Sequence, residues 1–529
     1  MKLLGKIYPL FFAVFPVLFY YNSNRFETII SSIFFPLFLS VAIYGVVYGT
    51  ARLLIHNKNK LKLVLTLVIF YLFSYIHFAN SLPWFKIALS NAKLPVGYIL
   101  FVVYTLTIIL LGKFLLKFKQ RDKLAGALTI IGVYLIIYPL TQIVPWELSR
   151  ISADKTSRDV TVDGIEIKNV KRKPDIYYII LDRYANGSIL KDYYNFDNSD
   201  FLSFLEKKGF YIADKSFANF PKTHLSLASS LNLEYINYLT GQLGKDNRDY
   251  TRAFRMVQDN KVARILKKLG YYYIYFGDWW EPTRVNPYAD ENINLYANSN
   301  EFLRKFFSTT AIYPLIGPYL KKIDFLGFSD DRVYENLVYK YEKLRNVAKE
   351  RSPKLVFVHM LMPHYPYLFD NNCNKSEDAT GEFENEKYIE QLQCTNMKMK
   401  QVINGILKQS KSPPVIILQS DEGPFKIDEM NRSGEGVDWT KASDTALQNH
   451  MRILNTYYIP DKDGRPVDYE KLGFYQGISP VNSFRLIFNN TFDTNFSLLE
   501  DRSYIIPHLD KPYSFIDKTN LIRFDKKNK

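Results

Sequence analysis

Five apolar stretches crowd the first 150 residues, at roughly 5–21, 28–50, 62–81, 96–116 and 125–146. They limit what this chain can fold into more than any other feature. Most approach the ~20 residues that a helix needs to cross the hydrocarbon core of a bilayer. The first follows Lys2 and Lys6 as the core of a signal peptide would. It lacks a small-residue cleavage site and four more stretches follow, so it reads as a retained helix.

Charge sets the orientation. The chain has 68 Lys+Arg against 53 Asp+Glu, a net of +15, and residues 1–150 hold 15 basic residues against Glu27, Asp122 and Glu147. The apolar half therefore carries +12 and the remainder +3. This argues against nucleic acid as the partner behind the basic balance, because the charge sits in short loops. Arg52, Lys58, Lys60 and Lys62 lie in the second loop, and Lys113, Lys117, Lys119, Arg121 and Lys123 in the fourth. The alternate loops hold only Arg25, Lys86 and Lys93. The positive-inside rule then places the amino terminus in the cytoplasm and, after five crossings, the C-terminal domain outside. The expected organisation is a transmembrane module over 1–150, a polar basic linker over 151–173 and an extracytoplasmic domain over 174–529. Two cysteines, Cys373 and Cys394, fall in that outer domain, where a disulfide is permitted; free buried thiols are the other reading.

From Lys173 onward the pattern alternates between short apolar strands and amphipathic helices. The strands are expected at Asp175–Leu181, Tyr271–Phe276, Leu355–Met360, Val415–Gln419 and Ile453–Ile459. Helices are expected at 199–208, 223–232, 260–269, 334–349 and 386–409. Such alternation predicts one α/β domain with a mostly parallel central sheet.

The chemistry should gather at the carboxyl edge of that sheet, where open α/β sheets bind their ligands. Two strands end in carboxylates: Ile180-Leu181-Asp182, and Leu418-Gln419-Ser420-Asp421-Glu422-Gly423-Pro424. Carboxylates so placed bind a hard cation or transfer protons. Thr223 opens a helix after Phe220-Pro221-Lys222. A hydroxyl there is either an ordinary N-cap or, beside a cation and free backbone N–H groups, a nucleophile toward bound phosphate. Met362-Pro363-His364-Tyr365-Pro366 follows a third strand. His359, inside that strand, and His450, just before Arg452, are spare candidates for a fourth ligand; His359 reads more readily as a satisfied core histidine, and the balance goes against both.

Leu181-Asp182-Arg183-Tyr184, Pro221-Lys222-Thr223-His224-Leu225-Ser226, Met362-Pro363-His364-Tyr365-Pro366 and Ser420-Asp421-Glu422-Gly423 occur in an order that resembles the alkaline phosphatase/sulfatase superfamily. More narrowly, the chain resembles membrane-anchored sulfatase-like transferases related to lipoteichoic acid synthase and the phosphoethanolamine transferases. Looser matches at Trp279–Arg284, Arg452–Tyr458 and Gly477–Arg485 extend the likeness over most of 173–505. The resemblance implies metal ligation by Asp182, Thr223, Asp421 and Glu422, with Thr223 also the nucleophile. It implies substrate contact by His364 and, less closely, by Trp280, Arg284 and Arg452. Two departures matter. Thr223 stands where sulfatases carry a Cys or Ser in a Cys/Ser-x-Pro-x-Arg motif, which disfavours sulfate-ester hydrolysis. Glu422 stands where the superfamily has histidine; an all-oxygen set would favour Mn²⁺ or Mg²⁺ over Zn²⁺.

These readings converge on a membrane-bound phosphotransferase. Thr223 would take a phospho-head group from a phospholipid donor and pass it to an envelope glycan acceptor. A hydrolase on the same site and a non-catalytic membrane scaffold are the rivals. A transporter fits poorly, because the apolar stretches carry almost no internal charge.

Overall fold

The computed structural model describes residues 4–91, 96–117, 120–157, 170, 172–297, 301–322, 331–376, 384–424, 432–433 and 436–523. Its contacts separate two units: Met1–Asp159 with Ser299–Arg332, and Val160–Asn298 with Val333–Lys529. The linear boundary at 173/174 therefore differs from the folded one, since an insert from the C-terminal half folds with the N-terminal helices. Aromatic packing explains this: Phe302 and Phe306 are buried, with Phe302 5.1 Å from the Tyr20 ring and Phe306 5.6 Å from Phe73. The linker expected at 151–173 begins as helix, because Arg121–Ser157 is continuous. Residues 158–169 and 171 of that linker, like Lys93 and Lys119 of the loops, lie outside the described residues.

Among the described residues of the first unit, three helices are long and apolar enough to cross a membrane: Ile30–Leu54, Val96–Lys117 and Asp122–Ser152. The stretch expected at 62–81 is interrupted. Helix Lys58–Phe73 stops after 16 residues, and Ser74 turns its hydroxyl onto the Phe70 carbonyl (2.7 Å) and against the Tyr104 hydroxyl (2.8 Å). The first helix, Leu4–Asn24, spans 21 residues and buries Tyr8, Ala13, Val17 and Tyr21 against its neighbours.

The second unit is built on a seven-stranded sheet. In chain order its strands are β1 (Ile176–Leu181), β2 (Tyr211–Ile212), β3 (Tyr272–Phe276), β4 (Glu291–Ile293), β5 (Lys354–Met360), β6 (Val415–Gln419) and β7 (Asn455–Tyr458). Their spatial order is β2-β7-β6-β1-β5-β3-β4. The five strands from β6 to β4 are mutually parallel, with Ile180 opposite both His359 and Gln419. Strands β7 and β2 add antiparallel pairings at one edge. All of β1 is buried, because both faces are covered by helices as parallel sheets require. Ile176, Tyr178 and Ile180 join one apolar cluster with helix Thr223–Asn232 and helix Pro480–Phe492. Tyr177, Ile179 and Leu181 join the other, with helix Asn385–Gln409. Period-two alternation in β1 thus feeds two cores at once.

Candidate active site

Asp182 is the first residue beyond β1, Asp421 the second beyond β6, and His359 the penultimate residue of β5. Neighbouring parallel strands therefore deliver all three to one carboxyl edge. Ligand atoms of Asp182, His359 and Asp421 lie within 4.8 Å of one another, and all three side chains are buried. His359 Nε2 is 3.4 Å from Asp182 Oδ2, while its Nδ1 faces the Thr283 hydroxyl at 3.3 Å. A histidine held from behind at one ring nitrogen and aimed at carboxylates with the other is the arrangement of a metal ligand. Asp182 Oδ1, both Asp421 oxygens and His359 Nε2 are buried without a complete hydrogen bond. Desolvated ligand atoms of this kind are costly unless a cation satisfies them, so the residues fit a divalent metal.

The site's electrostatics follow from burial. The Asp182 carboxyl is raised to about 8, by desolvation first and then by the charge of Glu422, with Arg183 and Lys222 opposing the rise. Asp421 is raised well above the ordinary carboxylate range by burial and by its two acidic neighbours, while His359 and the Thr223 hydroxyl pull it down. Burial also lowers His359 and keeps it neutral, the form a metal ligand needs.

Thr223 is the first residue of helix Thr223–Asn232, and the N-cap position falls to Lys222. Its hydroxyl sits beside Asp421, in front of the helix N-terminus. Lys222 has its ammonium 5.5 Å over the Trp439 ring, and burial lowers its pKa. Arg183 takes a left-handed backbone (φ 61°), an uncommon conformation for a non-glycine residue. It directs Nε to Glu422 at 3.5 Å. Glu422 therefore engages Arg183 on one oxygen and approaches His450 at 4.0 Å with the other. The grouped ligand atoms come from Asp182, His359 and Asp421, and the expected all-oxygen set gives way to a mixed oxygen–nitrogen one.

The remaining expected residues are distributed unevenly. His364 is half-buried on the loop after β5, its Nδ1 donating to the Tyr365 carbonyl. Buried Gln391 pins that loop through the carbonyls of Pro363, His364 and Pro366. Burial, then the positive charge of Arg183, drives the His364 imidazole well below its ordinary pKa. Trp280 lies with its ring 6.1 Å from His359 and 6.4 Å from His224. Arg284 donates to the Ala297 carbonyl at 2.7 Å, and the Arg452 guanidinium lies 5.4 Å over Phe217. Cys373 and Cys394 are joined in a disulfide.

Sequence reasoning passes over several residues of the site. His359 reads as a core histidine, and the signal against that reading is its position one strand over from Asp182 at the same edge. Lys340 gives no local cue at all. It is fully buried on helix Arg332–Asn346, pairs with Asp278 at 2.8 Å and donates to the His359 carbonyl. His450 is buried and stacked on Trp439 at 4.5 Å; burial lowers it to about 4.

The α/β sheet, covered by helices on both faces, thus carries a buried Asp–His–Asp group at its carboxyl edge. The family model described as sulfatase matches residues 176–450, more than half of the chain, and the chain belongs to that family. No curated protein matches the sequence. Similar solved structures include the zinc complex of the C-terminal periplasmic domain of EcEptC from Escherichia coli (13% identity, TM-score 0.42), covering 67% of this chain and 94% of that one. Another is the C-terminal periplasmic domain of phosphoethanolamine transferase EptC from Campylobacter jejuni (14%, 0.38; 62% and 92%). A third is the soluble domain of lipooligosaccharide phosphoethanolamine transferase A from Neisseria meningitidis (12%, 0.38; 60% and 89%).

Proposed function

We propose that this protein transfers a phospho-head group from a phospholipid to a hydroxyl of an envelope glycan through a phospho-threonine at Thr223. The observation that carries the reading is the Thr223 hydroxyl at a helix N-terminus, beside a buried Asp182–His359–Asp421 group with unsatisfied ligand atoms. A bound divalent cation would supply Lewis-acid charge at the Thr223 oxygen and the phosphoryl group. The mixed donor set suits Mn²⁺ and Zn²⁺ alike, so the preference drawn from an all-oxygen set no longer follows.

The chain's own residues supply the rest. Arg183, Lys222 and the helix N-terminus offer positive potential to a phosphate in front of Thr223. Thr223 Oγ attacks phosphorus, the bond from phosphorus to the diacylglycerol oxygen breaks, and the threonine proton balances the departing alkoxide. The His364 Nδ1–H is committed to the Tyr365 carbonyl, which leaves Nε2 as an acceptor. Neutral His364 then takes the proton of the incoming sugar hydroxyl as that oxygen displaces Thr223 from phosphorus, and this proton returns to the departing Thr223 oxygen, restoring the hydroxyl and the neutral imidazole. Trp280 walls the site on the His359 side, and Arg284 and Arg452 remain proposed substrate contacts. Five membrane crossings with a cytoplasmic amino terminus would hold the domain on the outer face, where its lipid donor lies.

The test is peptide mass spectrometry of full-length protein purified from its own membrane. An adduct on the Thr223 peptide, absent in Thr223→Ala, is expected, and its mass identifies the transferred group. An unmodified Thr223 after incubation with Mn²⁺ or Zn²⁺ and native lipids would sink the phospho-threonine reading.

A further inference from the structure

The insert between the two halves of the catalytic unit has no part in the site described above, yet it folds with the helices that resemble membrane spans. Its described residues include helices Glu301–Ser308 and Tyr313–Lys322. Its anchors are specific. Phe302 packs on Tyr20, Phe306 stacks on Phe73, and the Ala311 amide donates to the Leu72 carbonyl at 2.8 Å. Ala311 also shares an apolar cluster with Leu100 and Tyr104. Tyr20 and Phe73 lie near the carboxyl ends of their helices, while Leu100 lies near the amino end of Val96–Lys117. The insert is thus seated at one end of the helical group. An apolar cleft runs beneath it, lined by Leu39, Ile43, Phe73, Leu303, Phe306 and Ile312.

The outward face is also apolar. Leu315, Ile316 and Tyr319 are 39%, 38% and 71% exposed, and their i, i+1, i+4 spacing puts them on one side of helix Tyr313–Lys322. Exposed Lys322 closes the helix. An apolar face bordered by tyrosine and lysine, continuous with helices apolar enough to span, is the composition of a helix lying in a membrane interface.

We propose that helix Tyr313–Lys322 is an interfacial helix that beds Leu315, Ile316 and Tyr319 among the acyl chains of the leaflet at that end of the spans. The occupant of this face is bilayer lipid. The proposal rests on the spanning helices and is independent of the phosphotransfer chemistry.

The experiment uses full-length protein in nanodiscs of phosphatidylethanolamine and phosphatidylglycerol. Both native cysteines are in the disulfide, so Leu315→Cys or Tyr319→Cys takes a single spin label. Leu110→Cys, on a spanning helix and 65% exposed, is the lipid reference; Met397→Cys, 41% exposed on the catalytic unit, is the water reference. Labels at 315 and 319 are expected to collide several-fold more with dissolved oxygen than with a water-soluble nickel chelate, as at 110. Nickel-dominated collisions, as at 397, overturn the proposal. Protection from both reagents also overturns it, because protein and not lipid would then cover the face. Nickel-dominated collisions at 110 itself would remove the membrane reading and the proposal together, leaving the Thr223 adduct test standing.

Discussion

Desolvation dominates the behaviour of Asp182 and Asp421, and it makes the site's proton affinity measurable. With the metal chelated, the folded site keeps a proton on Asp182 up to about pH 8, whereas the unfolded chain releases it near the ordinary carboxylate value of 3.8. The native state then binds more protons than the unfolded state across that window, so stability falls as pH rises through it. Added divalent metal reverses the sign, since its ligands must be deprotonated. Thermal unfolding midpoints in a chelator are therefore expected to drop between pH 4 and 8, and Asp182→Asn to flatten the slope. A midpoint that rises over this range would contradict the assignment of Asp182 to a desolvated site. Asp182, Thr223 and Asp421 are legible in the sequence because each sits where an element begins or ends. His359 is not, since nothing in β5 alone distinguishes a histidine aimed at a ligand from one in a core.

Elements position these residues through close backbone approaches. The Gly423 amide donates to the His450 carbonyl at 2.6 Å, which ties the turn after β6 to the end of helix Asp444–Met451. A Cβ on Gly423 would stand 2.7 Å from that carbonyl and 2.9 Å from that of Asn449. Both obstacles are backbone, so relief requires the Asp421–Glu422 turn to move. Gly423→Ala should cost ~1–3 kcal/mol, as overpacking does. It should also reduce metal content in proportion, read by denaturant unfolding beside elemental analysis. An unchanged metal content would show that the turn tolerates the shift. Gly277 is held more tightly still: a Cβ there would fall 2.0 Å from the Arg284 carbonyl, where the loop after β3 folds back toward His359. Helix 223–232 and strand 415–419 coincide with their expected bounds, because apolar periodicity marks both sharply. Strands β2 and β4, at two and three residues, are too short to show a period in the sequence.

At the scale of the whole molecule, the chain passes between its two units three times, near residues 159, 298 and 332. Basic loops argue for a cytoplasmic amino terminus and an outer catalytic unit. A membrane-impermeant maleimide applied to intact cells should then label Met397→Cys, whereas Lys60→Cys should react only after permeabilisation. The opposite pattern would invert the topology.

By itself the sequence determined the division into an apolar helical part and an α/β part, the main strands and helices, and the carboxylates at the strand ends. These are local properties: periodicity, charge placement and the residue types that stop an element. Only the tertiary structure decided that His359 joins Asp182 and Asp421, that Glu422 turns to Arg183, that Lys340 pairs with Asp278, and that residues 299–332 leave the catalytic unit. Each depends on which distant segments share a buried space, and desolvation, acting only once that space has closed, selects the partners.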